Sequence, residues 1–129
     1  RIVDGLVEEA QQLAETIVVD LHAEATSEKV AMGHYLDGRV TAVLGTQTHV
    51  QTSDARVLPG GTAYMTDVGM TGPRDSVIGV RTDIIVRRFT TELPQQFEVA
   101  DEGPVRLNAA LIATAGGRAT SIHAVDVIL

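Results

Sequence analysis

Val40-Thr41-Ala42-Val43-Leu44, followed by Gly45-Thr46-Gln47-Thr48-His49-Val50-Gln51-Thr52, decides the fold. The first five residues are mostly apolar and read as a strand covered on both faces; the polar run after them reads as a loop leaving its carboxyl end. In α/β proteins that end of a strand carries the chemistry, which makes His49 a candidate ligand. An earlier run, Ile17-Val18-Val19-Asp20-Leu21, ends in His22 and passes into a second polar loop from Ala23 to Lys29. Two strand ends each bearing an imidazole predict a metal or phosphate site. A neutral imidazole offers one directed lone pair, useful only where the backbone fixes the ring. The spacing alone also fits two ordinary surface histidines.

Outward from these strands the pattern is that of α/β units. Ile2, Val3, Leu6, Val7, Ala10, Leu13 and Ala14 recur at spacings of three and four, with Glu8, Glu9, Gln12 and Glu15 opposite, which predicts an amphipathic first helix. A second helix is expected from a Thr26 or Ser27 cap to Leu36, with Asp37-Gly38 as its stop. Pro59-Gly60-Gly61 predicts a turn before a strand at 62–66, and Gly69, Gly72 and Pro73 interrupt the segment after that strand. Gly69-Met70-Thr71-Gly72 lacks Walker spacing, so it reads either as plain connection or as a loop touching substrate through its amides. From Asp83 onward strands are expected: Ile84-Ile85-Val86, then Phe97-Glu98-Val99, then a hairpin pairing 105–114 with 119–127 around Ala115-Gly116-Gly117-Arg118.

Composition bounds the function. The chain has 129 residues, enough for one domain, with 44% hydrophobic residues and a mean hydropathy of +0.12, so part of the apolar surface is expected to meet a partner. There is no 18-residue apolar run and no basic, apolar leader, which predicts neither a membrane span nor a signal peptide. With no cysteine, disulfides and thiolate chemistry are excluded, and a cytoplasmic location is expected. A net charge of −7 argues against a broad nucleic-acid surface, since counterion release needs clustered Lys and Arg, but a small phosphorylated substrate is allowed. Aromatics make up only 3%, so base stacking is not a general mode, and Tyr35 and Tyr64 read as packing residues.

Six segments in order carry a resemblance: 22–29, 35–39, 45–52, 58–64, 66–73 and 75–79. Together they resemble the YmdB-like metallophosphoesterases, calcineurin-like phosphodiesterases that include 2′,3′-cyclic-nucleotide phosphodiesterases, and the likeness runs from about Arg1 to about Ile122. The resemblance implies an α/β fold: half of an αββα sandwich, with a mixed sheet, flanking helices and a carboxyl-terminal β-hairpin, 1–129 forming one domain that lacks the family's amino-terminal half. It implies a dinuclear centre of iron, manganese or zinc acting on a small phosphodiester or nucleotide, with His22 and His49 as ligands. Family members write the central motif Gly-Thr-His-Thr-His, and Gln47 stands here where the first histidine belongs.

The family's metal-binding Asp, bridging Glu and Asn ligands belong to the amino-terminal half, so both half-sites are expected to be incomplete here. A bridging carboxylate holds such a pair of ions about 3.5–4 Å apart, and a neutral amide at Gln47 is a poorer ligand than imidazole. The chain is therefore expected to meet either that other half or, as a homo-oligomer, copies of itself; a remnant serving only for binding or oligomerisation is the alternative. His34 and His123 read as surface or sheet residues. Asp20, Glu24 and Asp67, near strand ends, are either solvated loop carboxylates or groups that orient a histidine through its second nitrogen. Thr46 and Thr48 have no Ser-His-Asp arrangement beside them, so a side-chain nucleophile is not expected.

Overall fold

The computed structural model describes residues 2–129, in which a mixed, mainly parallel sheet is covered by helices on one face and by an antiparallel ribbon on the other. Helix α1 spans Ile2–Leu13, strand β1 Val18–His22, helix α2 Thr26–Leu36 and strand β2 Ala42–Thr46. Strand β3 is Arg56–Val57, β4 Ala63–Met65 and β5 Gly72–Pro73; helix α3 spans Thr82–Thr91, and β6 Val105–Ala115 and β7 Arg118–Ile128 close the fold. The first sheet has the order β1-β2-β4-β3, with β1, β2 and β4 parallel and β3 antiparallel to β4. The second has the order β5-β6-β7 and is antiparallel throughout. The expected mixed sheet, flanking helices and terminal hairpin are all present.

The core lies on both faces of the first sheet. Val7 of α1 and Leu36 of α2 meet Val40, Val43, Leu58 and Tyr64 on one side. On the other, Ala42, Ala63 and Met65 pack against Ala119 and Ile122 of β7, and the small side chains let the two sheets approach. Tyr64 is buried as expected, and Gly33 is where α2 crosses its ring: a Cβ there would lie 2.4 Å from Tyr64 Cδ2. Tyr35 instead is exposed, donating to Asp4 at 2.7 Å beneath the Arg39 guanidinium.

The structure departs from the sequence pattern at several elements. Ile84-Ile85-Val86 is helical, inside α3, and Phe97–Val99 contributes a single bridge from Val99 to Val80. Neither Thr26 nor Ser27 caps α2; Ala25 takes that place with no side-chain bond, and its carbonyl accepts from the Glu28 and Lys29 amides. The edge strands β3 and β5, two residues each, have no counterpart in the sequence pattern. The apolar stripe of α1 is only half used: Val7 is buried, whereas Ile2, Leu6 and Leu13 are exposed. Ile2, Val3 and Leu6 face Leu21 and Met32 across an apolar groove beside β1, whose outer edge has no strand partner among the described residues. No described helix is long and apolar enough to cross a membrane.

Candidate functional site at the parallel strand ends

The carboxyl ends of β1, β2 and β4 lie side by side, with His22 in register with Thr46. The chain leaves β2 through 47–52 and β4 through Thr66 and Asp67, so His22, the 45–52 loop and Asp67 share one end of the sheet. This is where an open parallel sheet binds ligands.

The hydrogen bonds fix the tautomer of both histidines. Thr46 Oγ1 donates to Asp20 Oδ1 at 3.0 Å and lies 3.0 Å from His22 Nδ1. A hydroxyl has one proton, and a carboxylate only accepts, so Thr46 gives its proton to Asp20 and accepts from Nδ1–H of His22. His49 Nδ1 lies 3.0 Å from the Ile78 carbonyl, which also only accepts, so Nδ1 carries the proton there too. In each ring the lone pair is left on Nε2, the arrangement by which outer hydrogen bonds prepare a histidine to bind a metal or accept a proton. Asp20 thus orients His22, through Thr46 rather than directly.

The loop carrying His49 is bent against preference. Gln47 has φ 119° and His49 φ 63°, a left-handed region where side chains other than glycine's are strained, and Ile78, which anchors His49, has φ 48°. Such geometry persists only where surrounding bonds over-determine it. The clamp is Asp67, completely buried: its Oδ2 accepts from Thr48 N at 2.9 Å and from the buried Lys29 ammonium at 3.0 Å, and Oδ1 accepts from Gly69 N at 2.9 Å. Burial by itself pushes the Asp67 carboxyl up, but the Thr48 and Gly69 amides and Lys29 outweigh it and hold the group below the ordinary range. Asp54 behaves alike: burial opposes ionisation, and the Thr52 and Thr66 hydroxyls prevail. Gln51 Nε2 ties the loop to the ribbon through the Ala109 and Val125 carbonyls.

Gln47 donates from Nε2 to Glu24 Oε2 at 3.2 Å, which turns its amide oxygen away from the carboxylate. Glu24 therefore orients the substituted position rather than a histidine, and Asp67 orients the loop backbone. His34 on α2 and His123 on β7 are exposed, as expected. His22 and His49 answer to different neighbours, and among the described residues no three His, Cys, Asp or Glu side chains gather as metal ligands do. Two imidazoles and one amide oxygen do not make a dinuclear centre. The buried Lys29–Asp67 pair leaves no signal in the pattern, since Lys29 reads as the last polar residue of a loop.

The fold defines an α/β domain with two imidazoles at the carboxyl end of its parallel strands. The YmdB-like protein family model matches residues 1–125, and the chain belongs to that family. It is 55% identical over 109 residues to the 2′,3′-cyclic-nucleotide 2′-phosphodiesterase of Bacillus subtilis, a match covering 84% of this chain and 41% of that protein. It is 51% identical over 87 residues to a putative phosphatase/phosphodiesterase of Mycoplasma genitalium, covering 67% of this chain and 31% of that one. Among solved structures it is similar to a hypothetical protein from Thermus thermophilus, with TM-score 0.89, 48% identity and 98% of this chain on 49% of that one. A novel phosphatase from Mycoplasma pneumoniae superposes with TM-score 0.88 and 35% identity, 98% of this chain covering 45% of it. The chain thus spans less than half the length of these relatives.

Proposed function

We propose that the chain is one part of a metal-dependent phosphodiesterase acting on small phosphodiesters, 2′,3′-cyclic nucleotides first among them. The observation that carries this reading is the pair of strand-end imidazoles, His22 and His49, each with its proton held on Nδ1 and its lone pair on Nε2. Iron, manganese or zinc is the proposed ion, on the preference of these metals for imidazole. The described donors do not complete a site for it, so this reading assigns the missing ligands to the additional length of the relatives, where the family resemblance implies carboxylate ligands in an amino-terminal half. The edge of β1 that has no strand partner among the described residues and the apolar groove along α1 are where that half would dock. This chain's contribution is then to orient two rings and to hold the strained 45–52 loop through Asp67.

The test is to combine the chain with the amino-terminal half of the Bacillus relative, load it with manganese and assay 2′,3′-cyclic AMP. Hydrolysis is expected only from the combined protein, falling by about 100-fold or more in His49→Ala, as loss of a ligand exceeds the ten- to hundredfold cost of losing its outer partner. An assembled, metal-loaded protein that does not hydrolyse the substrate would overturn the reading. Gln47, bonded to Glu24 where the family has histidine, favours a second reading, an inactive binding module. That reading predicts no turnover until Gln47→His is introduced.

A further inference from the structure

Beside His49 the 45–52 loop faces the β5–β6 ribbon across a cleft of about 130 Å³. That is below the roughly 300 Å³ of a pocket for a whole small ligand, so it takes one group of a substrate rather than a nucleotide. Its polar wall is formed by Arg74, Arg106 and Asn108, and its apolar wall by Val50, Met70 and Ile78. The placement follows from register. Gly72 pairs with Arg106, Pro73 with Val105, and Arg74 N donates to the Pro104 carbonyl, so Arg74 and Arg106 are diagonal neighbours on one face of the ladder, and Asn108, two residues on, shares it.

Two guanidiniums that line one cleft repel unless anions are near, and the carboxylate beside each lies outside the cleft lining. Arg74 donates from Nε to Asp75 Oδ1 at 2.8 Å and from Nη2 to Oδ2 at 3.3 Å. Arg106 Nε lies 3.0 Å from Asp126 Oδ1, and that same oxygen accepts from Asn108 Nδ2 at 3.2 Å. Arg106 Nε is buried and makes no hydrogen bond, its approach to Asp126 being an ion-pair contact only, whereas the side chain as a whole is nearly half exposed, which leaves its terminal nitrogens as the open end. Among the described residues those nitrogens and Arg74 Nη1 carry no protein hydrogen bond. A guanidinium held by a carboxylate on one edge presents its remaining N–H groups in the planar fork that matches phosphate oxygens.

We infer that Arg74 and Arg106 form an anion subsite that takes the non-bridging oxygens of a phosphoryl group lying next to His49. The inference rests on the phosphodiesterase reading for its substrate, though the subsite itself needs neither metal nor turnover. Arg74 and Arg106 are then substrate-binding residues that select a phosphoester over a neutral ester, and the loop ending in Gly72 touches substrate through their cleft.

The experiment is a titration of the metal-free chain with inorganic phosphate and with 3′-AMP, followed through the guanidinium and His49 resonances. Saturable binding that shifts Arg74, Arg106 and His49 together is expected. Arg74→Gln and Arg106→Gln should each weaken it about tenfold, the loss of a charge-assisted bond. Arg74 is exposed, so its variant decides the matter if Arg106→Gln lowers the melting temperature. Arg106→Lys should bind with intermediate affinity, since the charge stays and the fork is lost. Phosphate binding unchanged in the Arg74→Gln/Arg106→Gln double variant, or absent from the parent chain, would overturn the subsite. Phosphate binding without hydrolysis by the assembled protein would leave the subsite standing and overturn the phosphodiesterase reading instead.

Discussion

Gly45→Ala is expected to destabilise the chain by at least about 3 kcal/mol, at the upper end of the cost of overpacking a core, and to lower its melting temperature by roughly 10 °C. Gly45 is buried in β2, where the backbone of β4 runs closest. A Cβ there would lie 1.8 Å from the Thr66 carbonyl oxygen and 2.7 Å from its carbon, both main-chain atoms, with Lys29 Cδ at 3.0 Å on another side. A side-chain tip can move aside, but these atoms cannot without parting β2 from β4, because Val68 N is bonded to the Gly45 carbonyl at 2.9 Å. Only glycine permits this approach. Thermal melts of parent and variant check it; equal midpoints would show that the two strands are less tightly joined than described.

Asp67→Asn is expected to cost about 3–5 kcal/mol, the range for leaving one member of a buried ion pair without its partner. Both Asp67 oxygens accept, so an amide nitrogen at either position would face a donor: Gly69 N on one side, or Thr48 N and Lys29 Nζ on the other. Lys29 is 1% exposed, so its ammonium cannot turn outward to solvent. Lys29→Met added to Asp67→Asn should recover part of the loss, since it removes the uncompensated ammonium. The pH dependence has a definite sign. The folded Asp67 and Asp54 carboxyls ionise below their ordinary value, so the stability they confer is fully present above the unfolded pKa of about 4 and fades as pH falls through the lower folded values. Acid titration of unfolding should therefore show a drop below about pH 4 that is shallower in Asp67→Asn. A variant as stable as the parent at neutral pH would contradict the clamp.

The elements legible in the sequence are those whose burial is patterned. The short apolar run from Val40 to Leu44 bounded by Gly38 and Gly45, the three- and four-residue spacing of Val3, Val7 and Ala10, and the long hairpin around Gly116-Gly117 each carry a local signal for their element. Helix α3 escapes such a reading because three successive β-branched residues suggest a strand, whereas this helix buries no side chain and has no side-chain cap to announce it. Its threonines are accommodated by back-bonding, Thr90 Oγ1 to the Val86 carbonyl at 3.0 Å and Thr91 Oγ1 to that of Arg87 at 2.7 Å. Strands β3 and β5 are too short for alternation to register.

At the site, His22 and His49 are legible from their position at strand ends. The groups that set their tautomers are not, because Thr46 and Ile78 act through a hydroxyl and a main-chain carbonyl that any polar or apolar residue type leaves unmarked. The Lys29–Asp67 clamp is a contact across 38 positions of the chain, and Arg74 and Arg106 come to one cleft only through the pairing of β5 with β6; both arise from topology, which local pattern does not encode.

The proposed function rests on two preset imidazole lone pairs at the carboxyl end of the parallel strands, and a long-range proton–nitrogen spectrum of the histidine rings under mildly alkaline conditions tests for them directly. His22 and His49 are predicted to show the Nδ1–H tautomer, with Thr46→Val releasing His22 alone into a tautomer mixture. Rings protonated on Nε2, or averaging freely between both nitrogens in the parent chain, would contradict it.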